Sequence, residues 1–142
     1  MACMNKPAFF IKSCANGNVL EVASCSKGGQ VVLSRQKMHG NNSHQLWHMQ
    51  PNGTIQCCGT NLVLDGANMS AKPDSANLIV WDEHGGAHQQ WKYEHNMLVN
   101  PSNPNIVLDV YGGAHGNTVC TYGKHGGKNQ QWELVFAGIH HH

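Results

Sequence analysis

Charge is the scarcest thing in this chain. Only 12% of its 142 residues are charged and the formal net charge is +1, against about 25% charged in typical soluble domains. No basic stripe is present to follow a phosphate backbone, and no cationic patch to hold an anionic bilayer. Nucleic acid is therefore not expected as a partner, nor electrostatic attachment to a membrane. Long apolar runs are missing too. None approaches the roughly 18 residues of a spanning helix, so membrane insertion is not expected. The opening Met1-Ala2-Cys3-Met4-Asn5-Lys6-Pro7 lacks the apolar segment of a secretory leader. That points to a cytosolic protein or one released by a non-classical route, with secretion after processing as the alternative.

A regular cysteine framework is also absent. The six Cys (3, 14, 25, 57, 58 and 120) follow no period, and the adjacent Cys57 and Cys58 are badly placed to bond to each other. Mostly buried or free thiols are expected. Asn41, Asn52 and Asn68 stand in N-x-Ser/Thr sequons, which matter only in a secreted chain. No segment carries helical periodicity.

What the chain has in abundance is glycine (16), together with asparagine, and both punctuate short apolar runs with turns. It also has a repeat. Gln45-Leu46-Trp47, Gln89-Gln90-Trp91 and Gln130-Gln131-Trp132 are three Gln-x-Trp triplets, preceded by His44, His88 and Asn129. A near-constant period of this length signals a repeat architecture. Three units follow, at about 7–49, 50–93 and 94–136, within one domain spanning 1–136. The remaining 137–142 is a tail whose final histidines resemble a purification tag, and it is set aside.

Each unit reads as four short strands. In the third they are Met97-Leu98-Val99, Ile106 to Val110, Thr118 to Tyr122 and Gln130 to Leu134. Twelve strands in an open sheet would leave unpaired edges, and an all-β chain removes these by closing into a barrel. Pseudo-three-fold closure is thus expected, with Trp47, Trp91 and Trp132 as core and each Gln satisfying turn backbone with its amide.

These residues resemble the ricin B-chain-like (R-type) lectin family, over roughly Ala8 to Val135. The third repeat carries the likeness best, through Ile106-Val107-Leu108-Asp109-Val110-Tyr111-Gly112-Gly113 and Gly126-Gly127-Lys128-Asn129-Gln130-Gln131-Trp132. The resemblance implies an all-β, β-trefoil fold of twelve strands, and binding of galactose or N-acetylgalactosamine in one shallow pocket per repeat. The chemistry suits a neutral sugar: a carboxylate accepts hydroxyl protons, an amide donates, and an aromatic face covers the C–H patch.

In the third repeat Asp109 would accept, Tyr122 would stack, Asn129 would donate beside Asp109, and Gln130 would brace the carboxylate or touch the sugar. Gly112 would line the floor. In the second repeat the set is Asp65, Trp81, His88 and Gln89, with His88 replacing the amide and a longer loop from Ala67 to Asp74. The first repeat departs most, with Glu21, His44 and Gln45, and a stacking position falling near Arg35 or Lys37. It is expected to be degraded.

His84 and His125 begin matching His-Gly-Gly loops at the expected pocket rims. The repeat accounts for them better than a metal site does, although His84 and His88 superficially resemble metal ligands. No pair of carboxylates flanks one bond as a glycosidase requires, and no nucleophile stands in a recognisable setting. Cys120 reads as a small buried residue. Neither an enzyme nor a cofactor is expected.

The leading expectation is a multivalent lectin that cross-links glycoproteins, glycolipids or cells, as a haemagglutinin does. A xylan-type polysaccharide-binding module and a β-trefoil inhibitor or interaction protein without sugar binding are the alternatives. So is the targeting subunit of a toxin. A homodimer would add valence, but no residue pattern identifies an interface.

Overall fold

The computed structural model describes residues 6–67, 69, 75–113 and 116–140. Cys3, the Asn68 sequon, most of the 67–74 loop, and His141 and His142 lie outside the described residues. Twelve strands run in chain order. They are β1 (Lys6–Ser13), β2 (Val19–Val22), β3 (Val31–Ser34), β4 (Trp47–Met49), β5 (Ile55–Cys57), β6 (Val63–Gly66), β7 (Leu78–Trp81), β8 (Lys92–Glu94), β9 (Met97–Asn100), β10 (Asn103–Tyr111), β11 (Thr118–Gly123) and β12 (Trp132–His140). They fall four to a repeat, and all named pairings are antiparallel.

The β-trefoil is the fold adopted. Its first and last strands close on each other: β12 pairs with β1 from Ser13↔Trp132 out to Lys6↔His140. The repeats are stitched together by single bridges, Gln30↔Ile79 and Asn77↔Cys120, and by Thr118↔Val32 between β11 and β3. Residues 137–140, set aside in the sequence analysis, run on as the end of β12 along β1. Each Gln-x-Trp differs from the sequence reading and does not open a strand. The Gln ends a one-turn 3-10 helix (Ser43–Gln45, Ala87–Gln89, Lys128–Gln130), and the Trp begins or directly precedes the strand.

The three Trp are buried to within 2% exposure and belong to one core cluster with Leu20, Leu64 and Leu108. Each indole Nε1–H donates to the carbonyl of the leucine in its own repeat: Trp47 to Leu20 (3.2 Å), Trp91 to Leu64 (3.1 Å) and Trp132 to Leu108 (3.2 Å). A large apolar ring is thereby buried without stranding its one polar atom. Each of those leucines immediately precedes a candidate carboxylate: Glu21, Asp65 or Asp109. Core and site are therefore joined at adjacent residues. Cys14, Cys25, Cys57 and Cys120 are free thiols, whereas Cys58 is disulfide-bonded. Burial pushes the Cys57 thiol up to about 11.

Candidate functional site

The third repeat shows how the candidate residues converge. In the β10–β11 ladder Asp109 lies opposite Cys120, Val107 opposite Tyr122, and Tyr111 opposite Thr118. Side chains alternate along a strand, so Thr118, Cys120 and Tyr122 share one face of β11, and Asp109 and Tyr111 share one face of β10. The loop after β11 brings in His125, and the 3-10 turn brings Asn129 and Gln130. Asp109, Tyr111, Gly112, Tyr122, His125 and Asn129 line an open cleft of about 270 Å³. Gly112 adopts φ +84°, a conformation that side chains disfavour, so glycine suits the cleft wall there.

Gln130 is fully buried, so its role is to brace rather than to touch a ligand. All four hydrogen-bonding positions of its amide are used. Nε2 donates to Asp109 Oδ2 (2.9 Å) and to the Gly123 carbonyl (2.8 Å), and Oε1 accepts from the backbone N–H groups of His125 (2.8 Å) and Gly126 (3.1 Å). One side chain fixes the carboxylate, the end of β11 and the His-Gly-Gly loop. Gln89 does the same for Asp65 (2.9 Å), the Asp82 carbonyl and the His84 N–H, and Gln45 for Glu21 (2.8 Å), the Arg35 carbonyl and the Lys37 N–H.

Asp109 is only 4% exposed. Burial pushes its carboxyl above the ordinary 3.8, opposed by the Gln130 hydrogen bond, the nearby His125 and the Asn129 amide. Asn129 Nδ2 donates to Asp109 Oδ1 and to the Val110 carbonyl, both at 3.3 Å. An ionised carboxylate offers about four acceptor positions. With Gln130 and Asn129 taking one each, roughly two remain for hydroxyl protons.

His125 presents a defined donor. Its Nδ1 accepts from the Gly127 N–H at 3.0 Å, so the proton of the neutral ring sits on Nε2, which lies 3.7 Å from Asp109 Oδ2. His84 repeats the arrangement: Nδ1 accepts from the Gly86 N–H at 3.1 Å, and Nε2 is 4.0 Å from Asp65 Oδ2. The His-Gly-Gly motif thus fixes the tautomer and aims an N–H over the carboxylate.

The second repeat adds a second imidazole. His88 Nε2 lies 3.6 Å from Asp65 Oδ2, at the edge held by Asn129 in the third repeat, and the His84 and His88 rings are 4.9 Å apart. Ligand atoms of Asp65, His84 and His88 lie within 4.8 Å of one another, close enough to suggest a metal site. The tautomer of His84 opposes that reading, because the inward nitrogen carries a proton instead of a lone pair. Trp81, 39% exposed, stands opposite Val63 as Tyr122 stands opposite Val107. It is backed by Gly28, where an added Cβ would touch its Cζ3 at 3.6 Å, and flanked by the Lys27–Asp82 ion pair at 2.7 Å.

The first repeat departs in two ways. Its stacking position is neither Arg35 nor Lys37. Ser34 pairs with Val19 as Trp81 pairs with Val63 and Tyr122 with Val107, so Ser34 occupies the aromatic's place. Arg35 contributes only its carbonyl to Gln45, and the residues added between Arg35 and Gln45 lie beyond the strand. The shift arises because the extra residues bulge after β3 and leave its register intact. His44 is also engaged differently from Asn129 and His88, with Nε2 3.1 Å from Cys25 Sγ.

Tyr111 is a cleft residue absent from the candidates read in the sequence. Its signal was period-two spacing from Asp109 along a strand.

The family model of the ricin-type β-trefoil lectin domain matches residues 7–132. No curated protein sequence matches the chain. Among solved structures it is similar to the C-half of an earthworm R-type lectin in complex with GalNAc, at 24% identity and TM-score 0.77, covering 92% of this chain and 98% of that one. The designed three-fold symmetric protein ThreeFoil is 27% identical, with TM-score 0.76 and coverage of 90% and 97%. The β-trefoil lectin of the Vibrio vulnificus hemolysin/cytolysin, with N-acetyl-D-lactosamine bound, is 17% identical, with TM-score 0.76 and coverage of 94% and 97%. The triplicated Gln–carboxylate braces and indole–carbonyl bonds stand inside the matched span, and the chain belongs to the ricin-type β-trefoil lectin domain family.

Proposed function

We propose that the chain binds terminal galactose or N-acetylgalactosamine in the second and third repeats, and cross-links glycoconjugates or cells by holding two at once. The observation that carries this reading is the third-repeat cleft, where a braced carboxylate with spare acceptor capacity lies between an amide donor and the Tyr122 ring. Asp109 accepts from two sugar hydroxyls, His125 Nε2–H donates, Asn129 holds the carboxylate in place beside the sugar, and Tyr122 covers the C–H face. Asp65, His88, His84 and Trp81 take these roles in the second repeat. The first repeat, with Ser34 for the aromatic and His44 engaged with Cys25, does not bind.

Open polar sites of this kind bind near millimolar, about −4 kcal/mol. Engagement of two sites on one surface raises apparent affinity on the order of 10²-fold. The test pairs a glycan array with agglutination of galactose-bearing cells. Asp65→Ala or Asp109→Ala alone should retain soluble-sugar binding at the other pocket but abolish agglutination, and the double variant should lose both. Array binding that survives in the double variant sinks the proposal, as does a wild-type chain that binds no glycan.

A further inference from the structure

The third-repeat cleft does not end at Tyr122. A second cleft, of about 230 Å³, is lined by Ser75, Asn77, Tyr111, Thr118, Cys120 and Tyr122. Tyr111 and Tyr122 belong to both. The two spaces therefore adjoin across a pair of aromatic rings that are 67% and 47% exposed. Each alone is below the roughly 300–1,000 Å³ of ordinary small-molecule sites, and together they reach that range.

We propose that this second cleft is a subsite for the next saccharide unit of a glycan whose terminal sugar occupies the Asp109 pocket. The inference rests on the sugar-binding reading above and extends it from a monosaccharide to a disaccharide or longer. The lining fits such an occupant. Tyr111, Tyr122 and Cys120 bring apolar surface to the lining, and Ser75, Asn77 and Thr118 bring polar side chains. A pyranose ring presents that same mixture of C–H surface and hydroxyls. Cys120 lies on the same β11 face, at 6% exposure. Burial and the facing Asp109 push its thiol up to about 11, so it adds neutral surface rather than a reactive thiolate.

The subsite distinguishes the two working repeats. The backbone contact of Val80 N–H with Gly29 O corresponds to that of Thr121 N–H with Ala76 O, so Gly28 and Gln30 correspond to Ser75 and Asn77. In the second repeat Gly28 lies against the Trp81 ring, with the Lys27–Asp82 ion pair beside it. In the third, Ser75 and Asn77 border the open cleft beside Tyr122. The third pocket therefore reads an extended glycan, and the second a terminal sugar.

The test uses the full chain carrying Asp65→Ala, so that only the third repeat reports, titrated by calorimetry with methyl β-galactoside and with N-acetyllactosamine. The disaccharide should bind on the order of tenfold tighter. Thr118→Trp, which fills the second cleft, should reduce that advantage to twofold or less while leaving methyl galactoside affinity unchanged. Ser75→Trp is the independent blocking variant should Thr118→Trp fail to fold. Equal affinity for the two ligands, or an advantage that survives the blocking substitution, overturns the subsite alone. No binding of either ligand overturns the galactose reading and the subsite with it.

Discussion

Gln130 Nε2 donates to Asp109 Oδ2 at 2.9 Å from a side chain with no solvent exposure. The same amide also holds Gly123, His125 and Gly126, so the floor of the cleft and the wall of the barrel are one hydrogen-bonded piece. Binding geometry and fold stability are coupled there.

Gln130→Ala should therefore damage both properties. Removing the amide leaves the Gly123 carbonyl and two loop N–H groups without their partner, and opens a void in a filled space. The expected loss is about 2–4 kcal/mol. Urea unfolding measures it, and calorimetry in the Asp65→Ala background should show third-pocket binding lost. An unchanged affinity would contradict the bracing role.

Ionisation of Asp109 works against stability. Its folded-state pKa is raised by burial, so folding favours its protonated form. The stability this group contributes is complete below its ordinary value of 3.8 and is lost as pH rises through the raised folded value. Asp109→Asn, which keeps an acceptor for Gln130, should match or exceed the wild-type melting temperature at pH 7. That advantage should shrink as pH falls toward 4. Third-pocket sugar affinity should drop at least about tenfold, or roughly 1.4 kcal/mol. A wild type that gains on the variant as pH rises would reverse the assignment.

Glu21 keeps its Gln45 brace, but Ser34 stands at the register position that Trp81 and Tyr122 hold in the other repeats. Calorimetric stoichiometry should accordingly be two sugars per chain, and Glu21→Ala should leave both affinity and stoichiometry unaltered. A third equivalent that disappears in this variant would restore the first repeat as a site.

The Asp65, His84 and His88 group should work without a metal, since the Gly86 N–H fixes the His84 proton on the inward nitrogen. In the Asp109→Ala background, which isolates the second pocket, treatment with EDTA should not change sugar affinity. A loss restored by added zinc would show that the imidazoles act as ligands.

The three Trp and their period made the fold legible, because burying a large ring at each repeat requires the same local sequence three times. Tyr122 and Trp81 could be placed because each stands ten residues before its Trp, and Asn129 because it directly precedes its Gln-x-Trp triplet. The carboxylates, whose distance to the Trp varies, could be placed from the apolar run that each one follows. Ser34 could not, because residues inserted between Arg35 and Gln45 break the count to its Trp while the β2–β3 register stays intact. The partner of His44 was hidden as well. Sequence offers its ring the place of Asn129, but only folding brings Cys25 within reach. The subsite beside Tyr122 was illegible because Ser75 and Asn77 reach it from the preceding repeat.

The pairing of Lys6 with His140 lays the two ends of the described barrel side by side. Topologically the twelve strands form a ring with an arbitrary cut. A short linker across that gap, with a new opening at the exposed Pro51–Asn52 turn, would give a circular permutant that begins with the second repeat. Its pockets would keep their positions in space while their order along the chain rotated by one.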